Sequence, residues 1–152
     1  MTGFGGSSEV RLRRAVTGLL AMALVGTGAE LLLLEHYEDP WQVVPLALIA
    51  LALISTGWRA FRPGGPASLR AFRGVMVLMV ASGALGLFLH YRGNVEFELE
   101  RDPALAGFTL FRKAMTGATP ALAPGAMTLF GLLGLVSAAG AAGVASSPEG
   151  PG

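Results

Sequence analysis

Cysteine is absent from the sequence. That excludes disulfides, thiolate metal sites, cysteine nucleophiles and covalent haem attachment, and it leaves the compartment open. Charge is scarce too: 14% of residues are Asp, Glu, Lys or Arg, roughly half the share of a soluble domain. The net charge is +1 and no tract of Lys or Arg occurs, so nothing points to a nucleic-acid partner. Histidine occurs only at His36 and His90, with no His-x-x-x-His or Glu-x-x-His pair at helical spacing. No serine nucleophile stands near a histidine, no Gly-x-Gly-x-x-Gly opens a helix, and there is no phosphate-binding loop. The familiar enzyme classes are left without a motif, and the chain reads as non-enzymatic.

Apolar residues, by contrast, make up 53% of the chain. They gather into runs nearly free of charge, separated by short charged connectors. A length of 152 residues is about one domain, and runs of about 20 apolar residues suit a hydrocarbon layer roughly 30 Å thick. The sequence therefore predicts an all-α membrane protein, a four-transmembrane-helix bundle occupying residues 11–145. Its spans are expected at residues 15–34, 42–58, 74–89 and 126–145. Residues 1–10 and 146–152 read as disordered tails.

Span one follows Arg11, Arg13 and Arg14. A basic start before an apolar run resembles a signal peptide, with Thr27, Gly28 and Ala29 as a tolerable cleavage site. Leu31, Leu32, Leu33 and Leu34 carry the run on to spanning length, so a retained span is expected. Within it, Glu30 shares a helical face with Ala23, Gly26 and Thr27. Small faces are where membrane helices approach each other, so Glu30 is expected to point into the bundle and to pair with Arg92 or His90. Its bland alternative is a carboxylate close enough to the interface to reach water.

Span two is bracketed by Trp41 and Trp58, as aromatic belts would place them, with Pro45 in its first turn. Arg59-Ala-Phe-Arg62 and Arg70-Ala-Phe-Arg73 flank a Pro-Gly-Gly-Pro turn and suggest two helix ends with snorkelling arginines. After span three, residues 95–100 alternate apolar and acidic, a period of two that suits a short extended segment with Glu96, Glu98 and Glu100 on one side. Asp102 and Pro103 then read as an N-cap and first helical residue. They would open a short amphipathic helix with Leu105, Phe108, Phe111 and Met115 on one face and Thr109, Arg112, Lys113 and Thr116 on the other. Such a segment lies in the membrane interface or packs over the bundle mouth. In span four Gly131, Gly134, Ala138, Ala141 and Ala145 form a small-residue stripe, read as a packing face within the bundle or as a dimer surface.

The arginines decide the orientation. The positive-inside rule places both tails and the loop bearing Arg59, Arg62, Arg70 and Arg73 in the cytoplasm. The chain is then a multi-pass protein of the cell's inner (plasma) membrane, with the connector holding Glu35, Glu38 and Asp39 on the outer side. His36-Tyr37 and His90-Tyr91 both close apolar runs, an echo that suggests two helix-hairpin repeats.

Two histidines and several carboxylates thus gather at the outer face. His36, His90, Glu35 and Glu96 are the candidate metal ligands, and a haem held between the two imidazoles is a variant of the same idea. The plainer reading puts both rings at headgroup level beside Tyr37 and Tyr91. The wording at residues 34–42, 90–100 and 117–127 resembles small bacterial four-span membrane proteins that carry no known activity. The resemblance implies the four-span architecture and nothing about chemistry. The leading expectation is a non-enzymatic accessory or scaffold subunit, in contact with the lipid bilayer and with a membrane-protein partner or further copies of itself.

Overall fold

The computed structural model describes residues 4–62, 64–117 and 122–139. These are helical and contain no strand: α1 (Phe4–Leu33), α2 (Pro40–Phe61), α3 (Pro66–Arg101), α4 (Gly107–Met115) and α5 (Gly125–Ala139). Among them α1, α2 and α3 are long and apolar enough to cross a membrane. At 1.5 Å per residue they measure about 45, 33 and 54 Å, against about 22 Å for the described part of α5. The remainder of the span expected at residues 126–145, with Ala141 and Ala145, lies outside the described residues, as do residues 1–3 and the tail at 146–152.

Helix α1 packs on α2 and α5, and α3 packs on both of these as well. The long helices and α5 thus close a ring in which sequence neighbours run antiparallel. The core is apolar and sulfur-rich: Leu20 and Leu24 from α1, Ile49 and Ala52 from α2, Phe72, Met76 and Met79 from α3, Met127 and Phe130 from α5. Buried hydroxyls turn back onto their own helices, as Thr56 Oγ1 does to the Ala52 carbonyl at 2.7 Å, which keeps them satisfied in an apolar setting.

The tightest seam is α3 against α5. A Cβ at Gly131 would meet the Met76 carbonyl oxygen at 2.6 Å and the Val80 nitrogen at 3.0 Å, and one at Gly86 would meet Pro124 Cβ at 2.8 Å. Glycine is required where two backbones approach this closely. The small-residue stripe of span four is therefore used inside the bundle as far as Ala138, and this part is not free for a dimer.

Several boundaries differ from expectation. Helix α1 starts at Phe4, inside the stretch read as a tail, and Arg13 pairs with Glu9 one turn away. Helix α2 starts at Pro40, with Asp39 Oδ1 accepting from the Trp41 N–H at 2.7 Å. Pro45 consequently sits inside the helix. The extended segment expected at residues 95–100 is instead the end of α3. Asp102 closes that helix, its N–H bonded to the Glu98 carbonyl, and does not open the next. The chain turns through residues 102–106, and Gly107, at φ +59°, takes a backbone conformation other residues resist.

Candidate functional site

The end of the bundle opposite the arginines is built by two pieces of backbone chemistry. Helix α1 terminates with the His36 N–H on the Leu31 carbonyl at 2.9 Å and the Glu35 N–H on the Leu32 carbonyl at 3.1 Å. That is a Schellman motif, and its left-handed position is filled by Glu35 at φ +54° where glycine is usual. Holding a residue with a Cβ there costs on the order of 1 kcal/mol. The result fixes the direction of the His36-Tyr37 turn. Asp39 then caps α2, while the Glu38 N–H bonds to Gln42 Oε1 at 3.0 Å.

His36 is half-buried at this turn, and so is His90 on α3. Burial lowers the pKa of His36, and the charge of His90 lowers it further. The two rings, far apart in sequence, are therefore within electrostatic reach of each other. Their backbones differ: His36 and Tyr37 lie in a turn, His90 and Tyr91 within a helix, so the echo between the dipeptides does not extend to local structure.

The other candidate ligands take separate positions. Glu35 is exposed as the cap of α1. Glu96 is exposed and accepts from Arg92 Nε at 2.8 Å, one turn away on the same helix. Among the described residues no three of His, Asp or Glu converge where a metal ion could be held. Of the two partners expected for Glu30, Arg92 or His90, Arg92 is engaged instead with Glu96, and Glu30 is exposed on α1.

What the sequence reading missed is the contact between α4 and the end of α3. Asn94 is 2% exposed, and its Nδ2 donates to the Ala114 carbonyl at 2.8 Å. A Cβ at Gly117 would come within 2.9 Å of the Asn94 side chain. Glu98 is buried one turn further along and pairs with Lys113 Nζ at 3.6 Å. Tyr91 and Phe111 meet with ring centroids 6.0 Å apart. The signal was available as the helical spacing of Tyr91, Asn94 and Glu98, which a period of two obscured. Phe108 is exposed and Phe111 partly so, an aromatic edge of α4 suited to a membrane interface.

Two apolar grooves flank α1. One of about 340 Å³ lies between Val16, Leu19, Leu20, Ala23 and Leu133. Another of about 340 Å³ is lined by residues of α1 and α2, including Leu24, Gly28, Ile49 and Leu53. Neither contains an ionisable group able to do chemistry. No family model matches the chain, and no curated protein or solved structure is similar to it.

Proposed function

We propose that this chain is a four-span integral protein of the plasma membrane, with both termini cytoplasmic, that serves as a non-enzymatic accessory or scaffold subunit. Its occupant is a transmembrane helix of another membrane protein, received on the outward face of α1. The observation that carries this reading is a contrast in glycine use. The glycines of the α3–α5 seam are consumed by close contact with the facing helix or the residues leading into it, whereas Gly18 and Gly26 have nothing within 4 Å of where a Cβ would stand. They share an exposed strip of α1 with Ala15, Met22 and Ala29. A strip of small residues interrupted only by the flexible Met22 offers lipid little surface and lets a second helix come close.

Glu30 borders that strip, also exposed. A carboxylate near the end of a span is costly without a partner, so the received helix carries a hydrogen-bond donor or cation at that level. The test is native mass spectrometry after extraction in mild detergent, comparing the natural chain with Gly26→Leu. The reading expects a complex of defined mass that Gly26→Leu dissociates without lowering thermal stability. A strictly monomeric chain in both cases contradicts it, and a complex of identical copies replaces the foreign partner with a second copy.

A metal or haem at His36 and His90 is the second reading, supported by the half-burial of both imidazoles and by the electrostatic influence of His90 on His36. It expects near-stoichiometric metal in untagged protein, lost in the His36→Ala/His90→Ala variant.

A further inference from the structure

Seven arginines collect at the cytoplasmic end among the described residues: Arg11, Arg13 and Arg14 on α1, Arg59 and Arg62 at the end of α2, Arg70 and Arg73 at the start of α3. The helices sort them into two groups. Arg11, Arg14, Arg62 and Arg70 are exposed, whereas Arg13, Arg59 and Arg73 are half-buried. These three come from three different helices and lie at the same end of the bundle. Arg59 lies with its guanidinium 5.0 Å from the centre of the buried Phe72 ring, next in sequence to Arg73, and it feels the charges of both Arg73 and Arg13. Arg73 is anchored from below, donating to the Ala138 carbonyl at 2.9 Å.

Three guanidiniums brought together by packing repel one another, more strongly where water is partly excluded. Their compensation among the described residues is meagre. Glu9 is the one carboxylate at this end and it is bound to Arg13. Phe72 offers Arg59 only its ring face, and Ala138 offers Arg73 a carbonyl. Guanidinium forks match the oxygens of a phosphate group, and basic pockets between helices at the cytoplasmic side are suited to anionic headgroups. The repeated Arg-Ala-Phe-Arg motif makes the same distinction. Phe72 of the second copy is fully buried beneath Arg59, while Phe61 of the first is 88% exposed.

We propose that Arg13, Arg59 and Arg73 form a binding site for a phosphate group at the cytoplasmic end of the bundle, supplied by an anionic phospholipid headgroup or by free phosphate. The exposed arginines around it raise the local concentration of the anion, and the three half-buried ones hold it. This site is independent of whatever docks on α1.

The test uses the full chain, delipidated in a neutral detergent, titrated separately with phosphatidylglycerol, phosphatidylcholine and inorganic phosphate. Thermal shift and native mass spectrometry are the readouts. Phosphatidylglycerol is expected to raise the melting midpoint and to remain bound, whereas phosphatidylcholine, whose phosphate carries its own cation, does neither. Arg13→Gln and Arg59→Gln, which leave the Arg73–Ala138 contact intact, should each weaken binding about fivefold. Arg92→Gln at the opposite end should change nothing. Inorganic phosphate acting as strongly as the lipid, and competing with it, supports the site and makes free phosphate the source. Equal binding of the two lipids, or full binding by the Arg13→Gln/Arg59→Gln double variant, overturns the proposal.

Discussion

Gly131 of α5 lies against the backbone of Met76 on α3, so close that a Cβ on residue 131 would stand 2.6 Å from the Met76 carbonyl oxygen. Backbone cannot swing aside as a side chain can, so the two helices would have to separate. Gly131→Ala is expected to destabilise the protein in detergent by about 1–3 kcal/mol, the usual range for overpacking. Gly134→Ala should cost less, because much of what it meets is the flexible side chain of Met76. Gly18→Ala, in open space, should be neutral or slightly stabilising. Thermal unfolding of the three variants checks the order, and a neutral Gly131→Ala would mean the seam is looser than described.

Glu35 occupies the left-handed position that closes α1. Glycine removes the Cβ penalty there, so Glu35→Gly should be more stable than Glu35→Ala by about 1 kcal/mol. Equal midpoints for the two variants would show that the left-handed turn is not populated.

Burial beside His90 holds the His36 pKa below the ordinary histidine value of about 6.5. The folded state therefore binds fewer protons than the unfolded state as pH falls through 6.5. The sign follows: His36 costs no stability above that pH, and the penalty grows below it until the folded-state pKa is passed. The natural chain should lose more stability between neutral and mildly acidic pH than His36→Gln. Parallel pH profiles would remove His36 from the account.

Asn94 ties α4 to the end of α3 through the Ala114 carbonyl. Asn94→Leu leaves that carbonyl without its donor and crowds Gly117. We expect a loss on the order of 1–3 kcal/mol, together with protease cleavage in the connector at residues 102–106 while the rest of the bundle stays intact. Unchanged resistance would show that Tyr91, Phe111 and the Glu98–Lys113 pair suffice to hold α4.

Long apolar helices were legible because span length and hydropathy are local properties. So was the gathering of arginines at one end, which needs only the order of the spans. Residues 95–100 were misread for a non-local reason. Their alternation fits a strand, but Arg92 with Glu96, and Asn94 with Glu98, also form helical pairs, and the choice is made by α4 packing on that face. Glu98 thereby became buried while Glu96 stayed exposed. The stripe of Gly131, Gly134 and Ala138 could be read as a packing face, but its partners Phe72, Met76 and Val80 could not. Glu35 gave no signal at all, since nothing in its neighbours marks a left-handed residue other than glycine.

The absence of cysteine makes the most direct test of the membrane topology a clean one. Single variants Glu38→Cys, Ala67→Cys, Thr109→Cys and Ser147→Cys would be exposed in intact cells to a maleimide that cannot cross the membrane. A four-span bundle with its arginines inside predicts labelling at residues 38 and 109, and at residues 67 and 147 only after the cells are permeabilised. Labelling of residue 67 in intact cells would contradict the orientation, and labelling of residue 147 there would contradict the fourth span.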